Sequence, residues 1–83
     1  MSHWNYRVIV KIDAPDKEPY FEIHECYYAR KNSRVPNMWT EKPVSPIGDS
    51  PTELTQCLRR MRESIRKPAL VQEGAKLKEW RGR

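Results

Sequence analysis

The chain is 83 residues long, which is too short for two independent hydrophobic cores and predicts a single domain. Its formal net charge is +5, and the whole excess lies in residues 50–83, because the basic and acidic side chains of residues 1–49 cancel. Two cysteines are too few for a disulfide scaffold, and the apolar runs are too short for a membrane helix. Composition therefore excludes both classes and favours a cytoplasmic protein.

Residues 4–12 have the composition and alternation of a β-strand. Aromatic and aliphatic side chains recur at every second position, and those expected to share one face are Trp4, Tyr6, Val8, Val10 and Ile12. Arg7 and Ile9 fall on the other face, which is expected to meet solvent.

A second strand is predicted over residues 20–28, after an acidic loop with two prolines that closes a hairpin. Its apolar side chains change phase along the strand, with Phe21 and Ile23 on one face and Cys26 and Tyr28 on the other. A β-bulge at residues 24–25 would return all of them to the core side, because one extra residue inverts the facing of those that follow.

The segments that flank the helix are less regular. A short third strand is predicted over residues 36–41, where prolines limit pairing and suit the edge of a sheet. Residues 42–49 contain two prolines and a glycine, which exclude a helix. Residues 72–83 hold few apolar side chains and predict a mobile basic tail.

The start of a helix is marked by Ser50 as N-cap and Pro51 at the first helical position. Glu53 follows three residues after the cap, and its carboxylate is expected to accept a hydrogen bond from the N–H of Ser50. Apolar residues then recur at steps of three and four along one stripe, namely Leu54, Cys57, Leu58, Met61 and Ile65. Pro68 ends the helix, because its ring and missing N–H do not fit a helical turn.

Together these elements predict an α+β domain of residues 1–71 and a flexible basic C-terminal tail of residues 72–83. The domain is expected to be a three-stranded antiparallel meander with one amphipathic helix packed on one face (β-β-β-α). The predicted core consists of Tyr6, Val8, Val10, Ile12, Phe21, Ile23, Trp39, Leu54, Leu58, Met61 and Ile65.

A set of framework residues carries a family resemblance: Asn5 to Ile9, Ile23-His24-Glu25, Tyr27-Tyr28, Trp39-Thr40, Gly48 to Leu54 and Lys67-Pro68. In these positions the chain resembles a family of small bacterial proteins of about this length whose function is unknown. The resemblance covers residues 4–70 and implies a shared fold but no catalytic role. The basic residues 75–83 fall outside it.

His24, Cys26 and Cys57 are the residues nearest to a reactive or metal-binding set. Structural zinc needs four converging ligands, and a cysteine nucleophile needs a base with its own orienting partner. The spacing supplies neither, so Cys57 is expected to be a small buried side chain and His24 a strand residue. The sequence therefore predicts no enzyme, no metal site and no cofactor.

Two binding surfaces are predicted instead. The first is an arginine ridge on the helix, formed by Arg59, Arg62 and Arg66 at helical steps, with Lys67 beside it and Trp80, Arg81 and Arg83 in the tail. The second is the uncovered sheet face with Ile9 and Tyr27, since exposed aromatic residues are typical of protein interfaces.

The predicted function is a non-enzymatic interaction module, an accessory or regulatory protein that docks on a protein or nucleoprotein partner. Direct binding of RNA or DNA by the arginine ridge and the tail is the alternative. No membrane contact is expected, and an uncovered sheet edge leaves a homodimer open.

Overall fold

The computed structural model describes residues 3–82, which contain one helix and five strands. In chain order they are β1 (His3–Lys11), β2 (Tyr20–Tyr28), β3 (Met38–Trp39), α1 (Pro51–Arg66), β4 (Leu70–Glu73) and β5 (Lys76–Glu79). β1, β2 and α1 lie where the sequence pattern predicts them. β3 is shorter than predicted, and β5 lies in the segment that was expected to be a tail.

The five strands form one mixed sheet in the order β3-β2-β1-β4-β5. β1 lies at the centre, antiparallel to β2 and parallel to β4, and the two outer pairs are antiparallel. The prediction of a three-stranded antiparallel meander is therefore wrong. A parallel neighbour requires a crossover connection, and the chain makes it through α1 before it pairs with β1 again. No local pattern in the sequence indicates this long-range pairing.

β4 and β5 form a hairpin with Gly74 and Ala75 as its two turn residues. Gly74 has a φ of 64°, and within residues 3–82 only glycines have positive φ, so the turn takes glycine at its first central position. The hairpin buries Leu70 and Leu77. The expected flexible tail is thus part of the sheet, and β4 crosses the predicted boundary between residues 71 and 72.

The pairing of β1 with β2 is continuous over nine residues of each strand, so the predicted bulge is wrong. Directly opposite residues share a face of the sheet. Ile23 therefore lies with its partner Val8 on one face, whereas His24 lies with its partner Arg7 on the other, together with Cys26. The change of phase follows from burial on both faces of the sheet, since Cys26 is buried on one face and Ile23 is half-buried on the other.

The main cluster of buried side chains lies on the sheet face opposite to α1. It consists of Ile9, Cys26, Leu70 and Leu77, and Val35 and Trp39 pack against it. Val35 belongs to the segment that follows β2, so this segment covers the face in place of a second layer. The expectation that Ile9 meets solvent is wrong, since this side chain is fully buried.

α1 begins at the predicted cap. The Oγ of Ser50 accepts a hydrogen bond from the N–H of Glu53 at 3.2 Å, and Pro51 is the first helical residue. The carboxylate of Glu53 accepts from the N–H of Asp49 at 3.4 Å rather than from that of Ser50. The helix ends at Arg66. Within residues 3–82, no helix is long and apolar enough to cross a membrane.

α1 packs over β1, where the Tyr6 hydroxyl lies 3.9 Å from the Cys57 Sγ. The buried helix residues are Cys57, Met61 and Ser64, so the helix turns one flank of its apolar stripe toward the sheet. The rest of the predicted stripe is exposed, and so are two strand residues predicted for the core; these are Leu54, Leu58, Ile65, Ile12 and Phe21. The main buried cluster lies on the other face of the sheet, so α1 buries only the smaller part of the core.

Candidate functional site

A cleft of about 490 Å³ opens where β1 begins and α1 ends, and we call it the Trp4 cleft. β1 supplies its floor. The segment after β2 supplies one wall, and the residues that follow α1 supply another. The lining residues are His3, Trp4, Asn5, Arg7, Tyr28, Lys31, Ser33, Arg34, Lys67, Pro68 and Glu79.

Arg7 lies at the base of the Trp4 cleft and is only 3% exposed. Its Nη1 donates to the Tyr28 hydroxyl at 2.9 Å and to the Arg34 carbonyl at 3.1 Å. Its Nη2 donates to the Pro68 carbonyl at 2.8 Å. The guanidinium thereby connects the end of β2, the segment after it and the chain that leaves α1.

The three acceptors of Arg7 are all uncharged, and its Nε–H is buried without any acceptor. A guanidinium has five N–H donors and normally pairs with a carboxylate or phosphate when it is buried. Within residues 3–82, no carboxylate forms an ion pair with Arg7. The base of the cleft therefore holds a buried positive charge without a counter-ion.

Cations outnumber carboxylates in the walls of the Trp4 cleft. Lys31, Arg34 and Lys67 are exposed there. Glu79 is the single carboxylate among the lining residues, and its Oε1 lies 4.0 Å from the Nη2 of Arg81. The electrostatic potential of the cleft is therefore positive, and it favours an anionic ligand.

Trp4 supplies an aromatic wall to the cleft and is 41% exposed. The Tyr6 ring meets it edge-on at a centroid distance of 5.4 Å. The Arg60 guanidinium lies 5.7 Å from the Trp4 ring centroid, within the range of a cation–π contact. A groove of about 380 Å³ continues past Trp4 toward Arg60 and shares Trp4, Asn5 and Lys67 with the cleft. The cleft and this groove form one basic surface.

The arginine ridge predicted on the helix is present as an exposed face. Arg59, Arg62 and Arg66 are all exposed, on the side of α1 that is turned away from the sheet. They do not line the Trp4 cleft. Lys67, which the sequence places beside the ridge, does line the cleft, and Arg60 is the arginine of α1 that reaches Trp4.

The predicted open sheet face does not exist as a binding surface. Ile9 is buried and Tyr27 is half-buried. The Tyr27 hydroxyl interacts with Glu25, which raises the pKa of Tyr27, with burial as the second cause. Tyr27 is paired with Trp4 and therefore lies on the α1 face of the sheet, so only Ile9 belongs to the second buried face.

The predicted binding residues of the C-terminal segment lie in separate places. Trp80 is half-buried, and its ring packs edge-on against Phe21 at a centroid distance of 5.5 Å. Arg81 is exposed and lies near Glu79 at the margin of the Trp4 cleft. Arg83 lies outside the described residues.

His24 and Cys26 share the buried sheet face, and their polar atoms are occupied by structural contacts. The His24 Nδ1 donates to the Thr40 carbonyl at 2.8 Å, and its Nε2 lies 2.9 Å from a carboxylate oxygen of Glu22. The Cys26 thiol donates to the His24 carbonyl at 3.7 Å. Burial raises the pKa of this thiol to about 11, so it is neutral at pH 7. The described part of the chain contains no group of three or more His, Cys, Asp or Glu residues that could hold a metal ion.

Sequence reasoning missed Arg7 and Trp4 as site residues, because it placed Arg7 on a solvent-exposed face and treated Trp4 only as a strand residue on the opposite face. Lys31 and Arg34 were missed because they lie in a polar turn without a pattern. One signal was available for Arg7: it directly precedes the uninterrupted apolar run of residues 8–10. Such a run is typical of a strand buried on both faces, where a charged residue needs a specific partner.

Comparison with known proteins adds no family to this description: no family model, curated protein or solved structure matches the chain. The resemblance of residues 4–70 to a family of small bacterial proteins therefore stays a prediction.

Proposed function

We propose that the protein is a non-enzymatic module that binds single-stranded nucleic acid at the basic surface around Trp4. The observation that carries the proposal is a 41% exposed tryptophan side chain in a cleft and an adjoining groove whose linings contain five cations, which are Arg7, Lys31, Arg34, Arg60 and Lys67. The carboxylates at this surface are Glu63 and Glu79, and each interacts with an arginine outside it.

The cations and the tryptophan ring can bind different parts of a nucleotide, namely the phosphate and the base. Lysine and arginine neutralise phosphates and release condensed counter-ions, which supplies affinity without sequence preference. An aromatic ring stacks on a base, and this contributes about 1–3 kcal/mol per base. Stacking requires an unpaired base, since the faces of paired bases are covered by their neighbours. The combination at Trp4 therefore favours a single strand over a duplex.

Docking on a protein or nucleoprotein partner is the second candidate function. The observation that favours it is the exposed apolar flank of α1, formed by Leu54, Leu58 and Ile65. This flank lies on the other side of α1 from Arg60, so it is separate from the basic surface. The sheet face that the sequence offered for the same purpose is closed.

Titration of a labelled mixed-sequence oligonucleotide at low and moderate salt tests the first candidate. We expect the affinity to fall steeply with salt. Each phosphate contact on a single strand contributes roughly 0.7 to the slope of log K against log salt, so the variant Arg60→Ala/Lys67→Ala should reduce the slope by roughly 1.4. Trp4→Ala should weaken binding by about 1–3 kcal/mol with little change in slope.

The matched control is Arg59→Ala/Arg62→Ala, which removes the same charge from the exposed ridge of the same helix. It should leave most of the affinity intact. If the control variant weakens binding as much as the variant at the Trp4 surface, the strand is bound by the ridge and the site is wrong. If the unmodified protein binds no oligonucleotide at low salt, the nucleic-acid proposal is wrong, and the protein partner is favoured.

A further inference from the structure

The Trp4 cleft contains a buried guanidinium that has no anionic partner among residues 3–82. Arg7 is nine-tenths buried, its three bonded acceptors are uncharged, and its Nε–H has no acceptor. A buried charge without a counter-ion is unfavourable even when neutral groups accept its hydrogen bonds, and an anion that binds to it relieves this. This feature is independent of the exposed Trp4 ring, and it distinguishes the base of the cleft from an ordinary basic surface.

The position of Arg7 selects the kind of phosphate that can reach it. Lys31, Arg34 and Lys67 are exposed in the walls, whereas Arg7 is at the base. A phosphodiester within a strand carries one charge and continues in both directions, so it lies along the walls. A terminal phosphomonoester carries a charge between −1.5 and −2 at pH 7 and three free oxygens, and it can enter a cleft end-on.

Resting on the proposed function, we infer that Arg7 and the surrounding cations form a subsite for the terminal phosphate of the bound strand. The phosphate accepts from the guanidinium of Arg7, whose Nη2 has a second N–H beside the one bonded to the Pro68 carbonyl, and Lys31, Arg34 and Lys67 supply the remaining charge. Trp4, in the wall of the same cleft, stacks on the terminal base.

Three oligonucleotides of one sequence test the subsite, with a 5′-phosphate, with a 3′-phosphate and with hydroxyl groups at both ends. Charge-assisted hydrogen bonds to a buried guanidinium discriminate by about tenfold or more, so at equal salt we expect one phosphorylated strand to bind at least about tenfold more tightly than the hydroxyl strand. Equal affinity of all three strands would overturn the subsite while the proposed function stands. Binding of none would overturn both.

Variants assign the discrimination to the cleft. Arg7→Lys keeps the charge and removes the fork of donors, and it should abolish the preference for a phosphorylated end. Because Arg7 also connects three segments, the variant Lys31→Ala/Arg34→Ala provides a second test: Arg34 accepts from Arg7 through its backbone carbonyl, so this contact remains. It should reduce the preference at least about threefold, and Arg59→Ala/Arg62→Ala should not. A preference that persists in both cleft variants would overturn the assignment.

Competition identifies the source of the phosphomonoester. A nucleoside monophosphate and inorganic phosphate are each added to the complex with the phosphorylated strand. Both should compete only at concentrations far above the strand's dissociation constant, because neither reaches the groove at Arg60. A nucleoside monophosphate that binds as tightly as the phosphorylated strand would overturn the assignment to a strand end.

Discussion

Cys26 is expected to make the folded protein less stable at alkaline pH. Burial raises the pKa of its thiol from 9.0 to about 11. Above pH 9 the unfolded chain ionises this thiol while the folded chain still holds the proton, so the free energy of unfolding falls as the pH rises. Below pH 9 both states are protonated and the contribution is constant.

The expected loss between pH 9 and pH 11 is about 2–3 kcal/mol, since one pKa unit corresponds to about 1.4 kcal/mol. Urea unfolding at a series of pH values measures it. The control is Cys26→Ala, because tyrosines also contribute: burial and the Cys57 contact raise the pKa of Tyr6 in the same direction. The alanine variant should show a shallower decline. A parallel decline in both proteins would contradict the prediction.

Arg7 shows where the sequence misleads at the scale of one residue. Alternation in β1 is correct, and it separates Tyr6 from Arg7 as predicted. The assignment of the second face to solvent is what fails, because a segment distant in sequence covers that face. Arg7 is buried only because the segment after β2 packs on this face, and the alternation within a single strand does not predict that packing.

At the scale of elements, α1 separates what local chemistry determines from what packing determines. Ser50 and Pro51 mark its start correctly, because a cap is a contact between near neighbours in sequence. The rotation of the helix about its axis depends on the sheet. The stripe of Leu54, Leu58 and Ile65 satisfies the helical period, yet the sheet takes up the adjacent flank.

This rotation predicts unequal costs for two substitutions on one helix. Met61 is 7% exposed, so Met61→Ala should lower the free energy of unfolding by about 2–4 kcal/mol. Leu58 is 48% exposed, and Leu58→Ala should cost about 1 kcal/mol or less. Urea unfolding of both variants measures the difference. Equal costs, or a larger cost at position 58, would show that the stripe faces the core as the sequence suggests.

The hairpin of β4 and β5 is the element that is hardest to predict from the sequence. Its buried side chains are Leu70 and Leu77, seven residues apart, and Val71 is the one large apolar residue between them. Such sparse apolar content resembles a disordered tail when it is read alone. The glycine-containing two-residue turn was the available signal, because Gly74 is followed by residues that alternate in burial.

At the scale of the whole molecule, the fold redistributes the charge that the sequence divides into two halves. Lys31 and Arg34 belong to the electrically neutral half, yet they lie in one cleft with Lys67. The loop at the opposite end of β1 carries Asp13 and Asp16. The molecule therefore has a basic end and a more acidic end, and this polarity orients the protein as it approaches an anion.

The five-stranded sheet predicts that residues 72–83 are essential for folding. A chain ending at Val71 loses Leu77 from the buried cluster and all of β5. We expect it to lose cooperative thermal unfolding, because a domain of this size has a margin of only a few kcal/mol. Circular dichroism during heating measures this. The control is removal of residues 82–83 alone, which should leave the transition in place. Cooperative unfolding of the chain that ends at Val71 would contradict this prediction and support a dispensable tail of residues 72–83.

The central place of β1 also sets the order in which a ribosome can complete this protein. β1 is synthesised first, but its parallel partner β4 leaves the ribosome almost sixty residues later, after both β2 and α1. Until then Ile9 has only one of its two neighbouring strands. Such distant pairings are slow to form and leave strand edges open to other chains. The nascent domain therefore completes its sheet only after β4 and β5 have left the ribosome, and until then one edge of its earliest strand stays open.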